Sequence, residues 1–276
     1  MIRRLLIILC ATLIGASATA VQAVDKAAVE ADFRPIKEKD AFVFRSDRGY
    51  VLLRNDTDLS KFTLDILRVP SEQELATYDT AKREAFAKLK AKKGDKAGSI
   101  DSFVFDYEGR PNFFELNPGK RLAMVDKVAM ILAELTPGDY IVYGTGFSGY
   151  TYQCLCLGTV RFTVKAGEVT DLGSLLVAKA WEPSPIPELA GEVDLGRSAV
   201  MDYGLFAIGL RPRQPGDWLP PGIDPTKIVP AELHAVGPFV DTNTVLINRL
   251  AAIPGVLGYD QGRVIDLRSG KEVLPN

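Results

Sequence analysis

The sequence predicts a mainly β protein: an antiparallel β-sandwich with one inserted α-helix and a proline-rich, irregular C-terminal extension. Three observations lead there. Short apolar runs recur between residues 41 and 177, separated by Gly- and Pro-containing turns, the spacing of a sandwich rather than of βαβ units. One segment alone, residues 71–93, combines helical periodicity with matching end signals. Twelve of the seventeen prolines follow Trp181, and each removes a backbone donor and fixes φ.

The chain opens with an export pattern. Arg3 and Arg4 precede the apolar run Leu5–Ile14, Gly15 breaks it, and the small residues Ala16, Ser17, Ala18, Thr19 and Ala20 follow. A signal peptide over residues 1–23 is expected, with cleavage after Ala20 or Ala23. The run is well short of the ~20 residues that span a bilayer. Cys10 follows Leu9 inside the run, a poor setting for lipid attachment. The expected destination is periplasmic or extracellular, with no integral membrane segment after cleavage. Losing Arg3 and Arg4 takes the formal charge from -2 to -4, which offers no footing for nucleic acid.

Residues 24–180 are expected to hold the sandwich. Ala41–Arg45 and Tyr50–Arg54 flank Ser46-Asp47-Arg48-Gly49, a hairpin signal. Phe62–Val69 is a third strand candidate. Ser71 and Glu74 then make a capping box, and Leu75, Tyr78, Ala85, Phe86 and Leu89 share one helical face. Glu72 and Glu74 begin this helix, Lys90, Lys92 and Lys93 end it, and Gly94 stops it. The seven basic residues between Lys82 and Lys96 read as its solvated face and end, with an acidic partner as the functional alternative. Further strand candidates are Ser102–Tyr107, Asn112–Leu116, Arg121–Leu135 with a break near Lys127, Asp139–Tyr143, Tyr152–Val164 and Val169–Val177.

Residues 181–276 are too proline-rich for long regular elements but too apolar for disorder. Phe206, Trp218, Ile247 and Val256 imply an ordered extension packed on the sandwich. Arg263–Leu267 and Lys271–Leu274 form a terminal hairpin candidate.

Two pieces carry a family resemblance. Leu135-Thr136-Pro137-Gly138-Asp139-Tyr140-Ile141-Val142 is similar to the L-x-P-G-x-Y-x-V strand of transthyretin-like and carboxypeptidase-regulatory-like β-sandwiches. Val160 to Gly173 resembles the closing hairpin of such modules, an alternating strand, a tight turn at Gly167 and a second strand. The resemblance implies a transthyretin-like or Ig-like sandwich and an accessory role in the envelope or outside the cell. It brings no catalytic residue with it.

The chemistry-bearing residues are sparse. His234 is the only histidine, and no Gly-x-Ser-x-Gly elbow is present, so triads and most zinc sites are hard to build. Asn55-Asp56-Thr57-Asp58 lacks the glycine and distal glutamate of a calcium loop and reads as a polar turn. Asn55-Asp56-Thr57 also fits the N-glycosylation pattern. Asp101, Asp106, Glu108 and Glu115 could supply paired carboxylates, but their separation is not set by the sequence. Cys154 and Cys156 share strand parity with Val160, Phe162 and Val164. They read as two inward thiols or, if the strand bends, as a local disulfide. Tyr143, Phe147 and Tyr150 form a glycine-spaced aromatic stretch, a possible binding surface.

The expected function is therefore a non-enzymatic exported binding or structural protein of the cell envelope, with a protein or carbohydrate partner and no cofactor or metal. The alternative is a secreted hydrolase whose carboxylates or hydroxyls converge from distant parts of the chain.

Overall fold

The computed structural model describes residues 32–56, 62–105, 107, 112–147, 151–179, 182–190, 206–220, 222–239 and 246–274. The export pattern, Asp106, Glu108, Tyr150 and Trp181 lie outside these. The described chain is mainly β with one α-helix, and it falls into two compact units. No described helix is long and apolar enough to cross a membrane.

Residues Val69–Asn112 form the first unit. Its helix α1 (Glu72–Lys93) starts at the expected capping box: Ser71 Oγ accepts from Glu74 N at 3.3 Å, and Glu74 Oε2 accepts from Ser71 N at 2.8 Å. It stops at Gly94, whose φ of 56° few other residues adopt. The segment after it is not a strand. Phe103, Phe105 and Tyr107 instead meet helix rings, Phe103 against Phe86 at 5.5 Å, Phe105 and Tyr107 against Tyr78 at 5.9 and 5.3 Å. The alternation is present, but its partner is a helix face rather than a ladder.

The chain up to Arg68 and from Phe113 onward builds the second unit. Its first sheet contains β1 (Phe33–Ile36), β2 (Gly49–Asn55), β5 (Ala123–Val125), β6 (Val128–Leu135), β10 (Val169–Lys179), β11 (Phe206–Arg211) and β12 (Ile228–Pro230). The order is β1-β6-β2-β10-β11, with β5 on β6 and β12 on β10. The second sheet contains β3 (Phe62–Arg68), β4 (Phe113–Leu116), β7 (Gly138–Phe147), β8 (Thr151–Cys154), β9 (Thr159–Val164), β13 (His234–Val236) and β14 (Leu246–Ile247). Its order is β13-β9-β7-β3-β4, with β8 joining β7 to β14. A small third sheet, β15 (Leu257–Asp260), β16 (Arg263–Asp266) and β17 (Lys271–Glu272), includes the expected terminal hairpin.

The sheets are mixed, not purely antiparallel as the sequence predicts. β2 with β10, β10 with β12, and β8 with β14 run parallel. The turn after β9 explains the first of these. Gly167, at φ 73°, sends the chain out of the second sheet and into the first, where β10 runs beside β2. β9 pairs instead with β7 and β13. The expected closing hairpin is thus a crossover between sheets. Two shorter departures are local. Ala41–Arg45 forms no strand, and Phe42 and Phe44 pack on Tyr50 as cover for β2. The break near Lys127 is a tight turn with Asp126 and Lys127 at φ 46° and 71°.

One core draws on both sheets: Val51, Leu53, Ile131, Ala133 and Leu175 from the first, Phe62, Leu64, Val142, Phe162 and Val164 from the second. The opposite face of the first sheet is covered too. Tyr50, Leu52, Met130 and Leu132 pack with Ile223 and Ile228. Burial on both faces is why β2 and β6 read as continuous apolar runs.

The segment after residue 180 is more regular than its prolines predict. It supplies seven strands among the described residues, β11 to β17. The prolines sit where they are tolerated: Pro187 and Pro225 open short 3₁₀ turns, and Pro230 ends β12. Phe206 packs edge-on against Phe62 at 4.6 Å. Trp218 and Ile247, by contrast, stay 38% and 49% exposed.

Candidate functional site

The second sheet has one face in the core and one turned away from it. On β4, Phe114 and Leu116 are in the core, so Phe113 and Glu115 stand on the other face. β7 does the same with Tyr140 and Val142 inside and Tyr143 outside. Three rings meet on this outer face. Tyr143 lies edge-on to Phe113 at 6.1 Å and stacks on Phe239 at 5.7 Å. Phe113 is 45% exposed. Polar groups stand beside the rings: Asn117 Nδ2 donates to Glu115 Oε1 at 2.6 Å. An exposed ring beside a carboxylate and an amide is an arrangement suited to a sugar, whose C–H face stacks while its hydroxyls hydrogen-bond.

Of the three aromatic residues predicted for a binding surface, Tyr143 stands at this cluster. The backbone of Phe147 ends β7, but its side chain, like all of Tyr150, lies outside the described residues. Phe113 and Phe239 were not legible as partners. Phe113 had a usable signal, its opposite parity to Phe114 and Leu116. Phe239 had none, because its place depends on a backbone bond from its N–H to Cys156 O at 2.9 Å.

A cleft of about 540 Å³ lies elsewhere, lined in part by Asp56, Asp126, Lys127, Lys179, Glu182 and Arg211. It occurs where β2 ends at Asn55 while β10 continues to Lys179. Its charges mostly pair with one another. Lys179 Nζ reaches Glu182 at 3.2 Å, and Arg211 binds Glu188 and lies 3.7 Å from Asp56. The hydrogen bond from Arg211 holds the Glu188 carboxyl below its ordinary value. Carboxylates locked in this way are poor proton carriers.

The carboxyl pushed upward is elsewhere, on β3. Asp65 is 2% exposed. Burial raises it to about 7, repulsion from Glu115 adds to the rise, and a hydrogen bond from Thr63 opposes it. Glu115 thus pairs across the ladder with Asp65. Asp65 carried no sequence signal, since a lone acid in an apolar strand reads as an outward-facing residue.

Cys154 and Cys156 are joined by a disulfide, the second of the two expected alternatives. The strand bends to allow it. β8 ends at Cys154, Gly158 N donates back to Leu155 O at 3.2 Å, and the two Cα atoms stand 5.2 Å apart, against about 6.5–7 Å along a straight strand. The bend also corrects the parity: Leu155, not either cysteine, enters the shared core. Both cysteines are buried. His234 is a strand residue of β13, with Nε2 3.5 Å from Glu232 Oε1. In the calcium-like turn, Asn55 is buried and donates to Phe62 O at 2.8 Å, while Thr57 and Asp58 lie outside the described residues. No group of three His, Cys, Asp or Glu among the described residues is placed to hold a metal ion.

No family model matches the sequence, and no curated protein or solved structure matches it.

Proposed function

We propose that this chain is an exported, non-enzymatic binding protein of the cell envelope, and that it holds a carbohydrate of that envelope on the outer face of its second sheet. The observation that carries this reading is the Phe113–Tyr143–Phe239 cluster, with the half-exposed Phe113 ring beside Glu115 and Asn117. The export pattern at Arg3 to Ala20 supports a setting among envelope polymers for such a surface. The finer fold reading belongs with it: a sandwich of the transthyretin-like kind, supported by β7 starting at Gly138 with Tyr140 and Val142 buried. The hydrolase alternative is the weaker one, because the acids of the cleft are largely held in ion pairs.

The test is co-sedimentation of the protein with insoluble envelope polysaccharide. Binding is expected for the wild type and for the distant surface variant Glu232→Ala. Phe113→Ala and Tyr143→Ala should each weaken it about tenfold, the scale of one lost stacking contact, with the melting temperature of Phe113→Ala little changed. Wild-type protein that stays in the supernatant at every polymer concentration would overturn the reading.

A further inference from the structure

β3 alternates strictly. Phe62, Leu64 and Ile66 enter the core, so Thr63, Asp65 and Leu67 face away from it. Asp65 stands between Glu115 of β4 and Gly144 of β7. Gly144 and Gly146 bring no side chain over it. Among the described residues its one hydrogen-bond partner is Thr63, whose Oγ1 donates to Oδ1 at 3.3 Å. Of the titratable and charged groups, β4 contributes Glu115 and β7 contributes the Tyr143 phenol on the same face. Arg68 of β3 has the parity of Ile66 and pairs with Tyr140 on the core side. Two carboxyls are therefore registered directly opposite each other, one of them buried and without a cation among the described residues. Like charges so placed oppose strand pairing.

β3 and β4 hold a particular place in the chain. The inserted unit leaves the body after Arg68 and returns at Phe113, so this short ladder joins its two roots. We propose that Asp65 and Glu115 form an acid-closed latch on the β3–β4 ladder: it is shut while a proton keeps Asp65 neutral and loosens once both carboxyls are ionised. The direction follows from burial. A carboxyl that titrates higher in the fold than in the unfolded chain favours the protonated fold. Its contribution is complete below the ordinary value of 3.8 and is lost as the pH climbs through about 7. The latch does not depend on what the aromatic face binds.

Amide hydrogen exchange on the full-length protein tests it, read at residues 63–67 and 113–116 from about pH 5 to about pH 8.5 and corrected for intrinsic rates. Between the ordinary value of 3.8 and a midpoint of about 7 the open form has lost the proton that the closed form keeps, so each pH unit there disfavours the closed form about tenfold, and above the midpoint the effect levels off. Protection of both strands in the wild type should thus fall on the order of fiftyfold between about pH 5 and 7 and change little from there to about pH 8.5. Asp65→Asn, of the same shape but never charged, should hold protection flat. Glu115→Gln removes the repulsion and should move the midpoint to lower pH, which reads the latch even if the Asp65 variant fails to fold. Flat protection in the wild type, an equal fall in Asp65→Asn, or a midpoint unmoved by Glu115→Gln would each overturn the proposal.

Discussion

Arg54 of β2 and Asp171 of β10 meet as a two-pronged ion pair closed off from water, Nη1 to Oδ1 at 2.7 Å and Nη2 to Oδ2 at 3.0 Å. Their side chains are 5% and 0% exposed. Arg54 also donates to Trp218 O at 3.0 and 3.2 Å, and Arg213 Nε lies 3.8 Å from Asp171. The parallel strand pair and the C-terminal segment are thus tied at one buried charge. Asp171→Ala leaves that guanidinium without its carboxylate, and a loss of about 3–5 kcal/mol is expected from urea unfolding. Replacing both residues with leucine should cost less than the single change. A loss under about 1 kcal/mol for Asp171→Ala would refute the dependence on this pair.

Gly173 lies in a bulge of β10, where the strand's register against β2 shifts between Asp171 and Ser174. Its N–H donates to Asp171 Oδ1 at 2.9 Å, its φ is 84°, and a Cβ there would meet Arg211 O at 1.9 Å. The contact is backbone against backbone, so no side-chain motion relieves it. Gly173→Ala should lose on the order of 3 kcal/mol and Gly216→Ala less: φ is positive at both, 84° and 93°, but open space surrounds Gly216. Comparable melting temperatures for the two variants would contradict this.

The Cys154–Cys156 bridge shapes a turn on which later chain docks. Cys154 O accepts from Asn248 N at 2.7 Å and Cys156 O accepts from Phe239 N at 2.9 Å. In a Cys10→Ser chain, denaturation without reductant should release no thiol, and reduction should release both. A Cys154→Ala, Cys156→Ala double variant should lose about 1–2 kcal/mol, the low end for a bridge, because the loop it closes is short. Its exchange should rise first at residues 246–248. Free thiol in the denatured, unreduced chain would rule the bridge out.

The capping box predicts a local effect. Ser71→Ala removes the acceptor for Glu74 N and should cost about 1 kcal/mol, while Ser71→Gly should cost only a few tenths. The loss should appear as faster amide exchange in residues 72–76, with the second unit's strands unaffected. Equal protection in the wild type and Ser71→Ala would refute the cap's contribution.

Local physics made part of this legible. The helix was readable because its signals lie within one segment: Ser71 and Glu74 three residues apart, and Gly94 at its end. The turn at Asp126-Lys127 and the terminal hairpin whose second arm begins at Lys271 were readable for the same reason. At the candidate site, Tyr143 was visible as an aromatic among glycines, and Glu115 as one of several acids.

What tertiary structure decided is pairing across distance. Sequence parity gives each strand two faces but does not say which strand lies alongside it. β10 runs parallel to β2 because a crossover at Gly167 delivers it there, and only then does Arg54 find Asp171, 117 residues away. Phe113, Tyr143 and Phe239 come together in the same way, from a strand, its sheet neighbour but one, and a segment held on the disulfide turn. The sequence by itself determined a mainly β chain with one capped helix and an export pattern, since propensity, periodicity and capping act over a few residues. The choice of mixed sheets, the burial of Asp65 opposite Glu115 and the aromatic cluster depended on long-range packing, where the energy of a contact belongs to both partners and neither carries it alone.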